Sequence, residues 1–311
     1  MTDTRILQLS WHGLPAVVGP HAHVVAERDR LAALRWQNFD ARQMSPTIGA
    51  EISGVDLSAD LADEVVDDLR QALFDYKVIF FRDQPLASAG HVAFARRFGD
   101  LELHPFLASN TGEPELVRFE KGAKLSGYEN TWHHDVTWRA EPSMGAILHA
   151  VSVPPLGGDT LFSDMYAAYE CLDDTTRDAI EDMSAVHDFS QSFGSYMDPE
   201  ELAAMQMRYP AVSHPVVCNH PFTGRRHLYV NRIFVSHIEG LDPDASREML
   251  DQLCRQADYP EHQCRFSWTP HSVAFWDNRA VQHYASSDYL PYTRIMERAS
   301  IVGPGPHRAP R

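Results

Sequence analysis

At 311 residues, with 44% apolar residues and prolines scattered rather than gathered into a linker, the chain can bury a large core and has the composition of a globular enzyme. The formal net charge of −16 argues against a nucleic-acid partner, which needs a basic footprint, and leaves room only for a local arginine cluster facing a small anion. Cys171, Cys218, Cys254 and Cys264 are far apart and form no C-x-x-C pair, against a disulfide framework or a thiolate zinc site.

The first thirty residues lack a continuous apolar stretch, and no window reaches the eighteen or so apolar residues of a membrane span. The expected compartment is the cytoplasm. Residues 1–44, punctuated by Gly13-Leu14-Pro15 and Gly19-Pro20, read as an N-terminal arm or cap, and residues 45–311 as a single domain.

Within that domain, residues 50–57 look like a strand ending in a turn. Residues 60–75 then carry helical periodicity, with Leu61, Val65, Val66, Leu69 and Leu73 on one face. The run Lys77-Val78-Ile79-Phe80-Phe81 predicts a strand buried on both faces, and a helix follows over 88–97. Strand composition returns at 145–148, 227–230 and 272–276, interrupted by helical stretches near 164–183 and 244–256. Strands without a regular βαβ alternation, with a few helices inserted, predict a mainly β fold of sandwich or jelly-roll type.

The chemistry concentrates in Thr131-Trp132-His133-His134-Asp135-Val136-Thr137-Trp138. On a strand, His133 and Asp135 would share a face while His134 points away. One imidazole and one carboxylate are two thirds of the facial triad that leaves open positions on iron(II), although alone the pattern also fits a solvated strand end. His283 is the best second histidine, re-entering the interior after the turn signal Asp277-Asn278-Arg279, whose residues are read as turn formers. His12, His21, His23, His262 and His271 lie in loop-like surroundings and are expected at the surface. Arg294 and Arg298, four apart on a predicted strand, would line one cavity with donors suited to carboxylate or sulfonate.

Four motifs in order, W-H-x-D at 132–135, G-G-D-T at 157–160, W-D-N-R-x-x-Q-H-Y-A at 276–285 and R-I-M-x-R at 294–298, resemble the taurine dioxygenase family within the taurine/aryloxyalkanoate group. The likeness runs from about Ser45 to Pro304. It implies a double-stranded β-helix (jelly roll), with iron(II) on His133, Asp135 and His283, and 2-oxoglutarate held through its distal carboxylate by Arg294 and Thr160. It also implies consumption of O2, release of succinate and CO2, hydroxylation of a substrate, and a homo-oligomeric state.

Carried over by position, His104, Val136, Ser192, Phe193, Phe234 and Arg298 match the pocket that holds the taurine sulfonate. Leu107 and Glu129 depart from the family pattern where a tyrosine and an asparagine meet the taurine amine. A sulfonate or alkyl sulfate ester with another tail is therefore the expected substrate, with an aryloxyalkanoate or phosphonate as the alternative. Two readings from other classes are a zinc hydrolase, which would have no need of a carboxylate clamp at Arg294, and a non-catalytic jelly-roll binding protein, which would have lost a ligand or the clamp.

Overall fold

The computed structural model describes residues 5–8, 15–18, 21–110, 112–123 and 129–308. His12, Gly13, Leu14, Gly19 and Pro20, named above, lie outside them. Two sheets face each other. The larger has seven strands in the order Asp40–Gln43, Ala50–Ser53, Val78–Phe81, Val273–Asp277, Ser143–Ser152, Arg294–Val302 and Leu116–Lys121. All its pairings are antiparallel except that of Ala50–Ser53 with Val78–Phe81. The smaller sheet runs Gln263–Phe266, Thr160–Asp164, Val281–Ala285, and is antiparallel throughout.

Side-chain alternation explains the layering. Val78 and Phe80 join Ala146, Leu148, Ala274, Trp276 and Met296 in a core between the sheets, closed from the other side by Phe162, Phe266 and Val281. Ile79 and Phe81 point the opposite way, into a second core with Ile147, Phe275 and Ile301 under the helices Asp63–Tyr76 and Ser88–Arg96. Both faces of this strand are covered, which is why residues 78–81 are apolar without alternation. The fold is the sheet-rich jelly roll with inserted helices expected above. One helical expectation needs correction. Residues 164–183 form two helices, Met165–Glu170 and Asp174–Ile180, because Asp173 accepts from the Thr176 backbone N–H and starts a new helix.

The helix Ala22–Ala32 is fastened by charge. Lys77, fully buried with a left-handed backbone (φ 65°), donates to Glu27 and to the Thr47 carbonyl (2.6 Å), and lies 3.4 Å from Asp164. Glu27 also meets Arg30 and Arg225, each at 2.9 Å. Burial raises the Glu27 carboxyl, but Arg30, Lys77 and Arg225 together hold it well below its ordinary 4.5. Glu27→Ala takes the nearest carboxylate from a buried ammonium and leaves it only Asp164 at 3.4 Å and the Thr47 carbonyl, so urea unfolding should show a loss of about 3 kcal/mol. Since the folded carboxyl is depressed, its contribution is present above the ordinary value of 4.5 and is lost as pH falls below it. Stability of the variant should therefore fall less steeply below that pH than stability of the wild type.

Candidate active site

His133 and His283 exchange backbone hydrogen bonds, His133 N–H to the His283 carbonyl at 3.1 Å and the reverse at 2.9 Å. This single antiparallel bridge places their rings 4.2 Å apart between centroids. The strand expected at 131–138 is not there. Beyond His133 the chain makes a turn, with Val136 at φ 49°, a region costly for a β-branched residue. The turn, not strand alternation, brings Asp135 to the same side as His133. His134 does face away, buried against Tyr229.

Donors from His133, Asp135 and His283 lie within 4.8 Å of one another, close enough for one ion to reach all three. The His133 Nδ1 lies 2.8 Å from the Thr131 carbonyl, which can only accept, so this nitrogen carries the proton and Nε2 presents a lone pair toward Asp135. A second ring nitrogen tied to a carbonyl is the usual support of a metal-binding imidazole. Burial, and then the adjacent His133, lower the His283 pKa to about 3, which keeps that ring neutral and able to ligate. Two imidazoles and one carboxylate fit iron(II) with positions left for other ligands.

The turn is held from behind. Asn278, fully buried, accepts from the Asp135 N–H (2.7 Å) and donates to the carbonyls of Asp135 (2.9 Å) and Ser143 (3.0 Å). Asn278 sits in its expected turn but also positions Asp135 through its backbone, which the sequence reading missed. Asp277 is likewise more than a turn former, bonding His220 (2.9 Å) and Arg279 (2.8 Å) in the interior. On the opposite flank His187 and Asn231 reach the Thr137 hydroxyl, and His214 reaches the Thr137 carbonyl.

Arg294 and Arg298, side by side on Arg294–Val302, both line the same cleft, as their spacing predicts. Arg294 is 8% exposed, and among the described residues no carboxylate pairs with it. Its Nη2 meets the Thr160 hydroxyl at 3.3 Å, a group also bonded by the Trp268 indole at 3.0 Å. Burial lowers its pKa, and its Nε has no partner. The glycines of G-G-D-T explain the approach. Gly158 takes φ 72°, and a Cβ there would lie 3.2 Å from the Arg294 Cδ, so a larger residue would crowd the guanidinium.

Arg298 donates to the Asp135 Oδ2 at 2.8 Å and lies over Phe119. Burial raises the Asp135 pKa, but Arg298 and the two histidines outweigh it and hold the carboxyl well below its ordinary range. The His104 Nδ1 accepts from the N–H groups of Phe106 (3.2 Å) and Leu107 (3.1 Å). Burial and the neighbouring Arg298 lower its pKa to about 3, so the ring is neutral and its hydrogen sits on Nε2 as a donor.

All eight residues expected around substrate, His104, Leu107, Glu129, Val136, Ser192, Phe193, Phe234 and Arg298, line one cleft with His133, Asp135, His283, Thr160 and Arg294. Glu129, partly exposed at the cleft wall, lies 3.3 Å from the Lys121 ammonium. Sequence reasoning missed Lys121, Tyr289 and Trp268, which reach the cleft or its clamp from distant segments.

Residues 40–300 match the model of the family described as taurine catabolism dioxygenase TauD, TfdA family. The alpha-ketoglutarate-dependent sulfate ester dioxygenase of Pseudomonas putida is 34% identical over 276 residues, covering 86% of this chain and 91% of that protein. The (S)-phenoxypropionate/alpha-ketoglutarate-dioxygenase of Sphingobium herbicidovorans is 34% identical over 275 residues, covering 85% and 95%. A crystal structure of a taurine dioxygenase from Burkholderia xenovorans superposes with a TM-score of 0.76 at 36% identity, covering 87% of this chain and 91% of that one.

Proposed function

The chain belongs to the taurine catabolism dioxygenase TauD, TfdA family and is a 2-oxoglutarate-dependent dioxygenase, and we propose that it hydroxylates a sulfonate or alkyl sulfate ester held by Arg298 and His104. Family membership sets aside the zinc hydrolase and the non-catalytic jelly roll. The family's cofactors are iron(II), 2-oxoglutarate and O2. We place the iron on His133, Asp135 and His283, and the distal carboxylate of 2-oxoglutarate on Arg294 with Thr160. When bound, iron with 2-oxoglutarate supplies the oxidant, one oxygen atom of O2 going to succinate and the other to the substrate.

The protein's part is placement. The observation that carries the substrate reading is the second buried guanidinium, Arg298, with its Nε unpartnered and the Nε2–H donor of His104 beside it. These two groups suit the oxygens of an anionic headgroup. Leu107, Phe193, Phe234 and Ile233 offer an apolar wall to the rest of the molecule and keep water from the reacting carbon. Hydroxylation of the carbon bearing a sulfate ester oxygen gives a hemiacetal-like product, which collapses to an aldehyde and sulfate. A sulfonate hydroxylated next to sulfur collapses in the same way to an aldehyde and sulfite.

Succinate formation across alkyl sulfates, alkanesulfonates, taurine, phosphonates and aryloxyalkanoates tests the substrate class. The first two groups should give the highest kcat/KM, with taurine disfavoured because Leu107 offers its amine no partner and Glu129 is already paired with Lys121. Arg298→Ala should lower kcat/KM for the best substrate about a hundredfold, with iron and 2-oxoglutarate binding verified separately because Arg298 also touches Asp135. Equal turnover by the variant would sink the anionic reading. An aryloxyalkanoate is the second reading, favoured by the apolar wall and by the Sphingobium relative.

A homo-oligomer in the cytoplasm with no nucleic-acid or membrane partner belongs to the same reading. It is supported by the family likeness, the charge of −16, and the lack, among the described residues, of a helix long and apolar enough to cross a membrane. So does the division into an arm, residues 1–44, and a dioxygenase domain, residues 45–311. Sedimentation of the full chain tests the oligomer.

A further inference from the structure

Histidines 21, 23 and 262, expected at the surface, are not surface residues. His262 is fully buried, His21 is 7% exposed, and His23 is half-buried between them, whereas His271 is exposed as expected. They meet where three segments converge: the start of the helix Ala22–Ala32, Cys171 at the end of the helix Met165–Glu170, and the short turn Pro260–His262 leading into the smaller sheet. None of these residues lines the substrate cleft.

Donor atoms of His21, His23 and Cys171 all lie within 4.8 Å of one another, with the His21 Nδ1 3.9 Å from the Cys171 sulfur. The His262 Nδ1 lies 3.2 Å from the Gln256 carbonyl, which can only accept, so that nitrogen carries the proton of the neutral ring. Its Nε2 is left as a lone pair, 3.5 Å from the Nε2 of His23. Burial keeps both rings uncharged, lowering the His23 pKa to about 4 and shifting that of His262 downward. An N-to-N separation of 3.5 Å is long for a hydrogen bond and ordinary for two ligands of one ion bonded at about 2.0–2.1 Å.

We propose that His21, His23 and Cys171, whose donors already lie within reach of one ion, form a second metal site for a zinc-like divalent ion, separate from the iron site, and that a swing of the adjacent His262 ring supplies the fourth donor. Imidazole and thiolate donors in this combination suit zinc, not a hard cation. The His262 ring has the backbone-carbonyl support typical of a metal-binding histidine. On binding, the Cys171 thiol gives its proton to solvent, and the thiolate takes its place on the ion. The bound ion fastens the N-terminal helix to the body of the domain, a staple that cysteine spacing could not reveal because its donors come from three distant segments.

The test uses the full chain, metal-free, carrying His133→Ala and His283→Ala so that the iron site cannot contribute while the Asp135–Arg298 pair is kept. Titration with cobalt(II) should reach one ion per chain, with intense near-ultraviolet thiolate-to-cobalt absorption and the strong visible bands of tetrahedral coordination. Cys171→Ser should remove the near-ultraviolet absorption, and His23→Gln should weaken binding about a hundredfold. Zinc(II) should displace the cobalt and raise the Tm of the parent protein but not of the Cys171→Ser chain. Circular dichroism of each metal-free variant, expected to match the parent, separates lost ligation from lost folding; a variant that misfolds is replaced by His21→Gln. The proposal is overturned if no thiolate absorption develops, or if it persists in Cys171→Ser, in which case the cluster is hydrogen-bonded packing. Failure here leaves the iron site untouched, since that site is disabled throughout.

Discussion

Arg294→Ala is expected to weaken 2-oxoglutarate binding by about a hundredfold or more while leaving iron binding and the fold intact. The guanidinium is buried, touches only the Thr160 hydroxyl among polar side chains, and has no carboxylate partner among the described residues. A buried charge without a counter-ion is held at a cost of several kcal/mol, which an incoming carboxylate relieves. Removing one side of such a charge-assisted pair costs about 2–5 kcal/mol, and each 1.4 kcal/mol is a factor of ten in Kd. The same reasoning fixes an opposite sign for the protein without cosubstrate. Deleting an uncompensated charge should leave the Tm of the metal-free chain unchanged or slightly higher. Arg294→Lys keeps the charge but not the two-pronged donor geometry, and should recover only part of the affinity. Calorimetric titration with 2-oxoglutarate under anaerobic conditions, beside thermal melts without it, measures both.

Asp135→Ala is expected to abolish stoichiometric iron binding and succinate formation, and also to destabilise the metal-free protein. Asp135 is at once a member of the donor triad and the partner of buried Arg298 at 2.8 Å. Its loss strands that guanidinium, at about 3–5 kcal/mol. His133→Ala removes a proposed ligand with no such partner and should lose iron with a much smaller fall in stability. Iron content and urea midpoints of the two variants side by side separate ligation from folding. A destabilised His133→Ala protein, or an Asp135→Ala protein that keeps its iron, would contradict this division of roles.

Local pattern carried much of the site. The unbroken apolar run 78–81 marked a strand covered on both faces, and the four-residue spacing of Arg294 and Arg298 put both guanidiniums into one cleft. His133 and Asp135 converge as expected, yet by a turn at Val136 and the grip of Asn278, because strand periodicity says nothing about a chain that leaves its strand after one bridge. Trp268 and Asn278 act on groups more than a hundred residues away, a relation absent from any local window. His21 and His262 were read as exposed because loop composition signals polarity without saying what packs over it. Leu107 and Glu129 were legible as departures from the family pattern, but the pairing of Glu129 with Lys121 needed the fold.

We propose that His133, Asp135 and His283 hold iron(II), to which 2-oxoglutarate binds beside Arg294. Anaerobic addition of iron(II) and then 2-oxoglutarate to the metal-free wild-type chain measures it through the visible metal-to-ligand charge-transfer absorption of the chelated keto acid. The band should appear with wild type, be absent from His133→Ala, and need a much higher 2-oxoglutarate concentration in Arg294→Ala. No band in wild type, or an unchanged band in His133→Ala, would contradict the account.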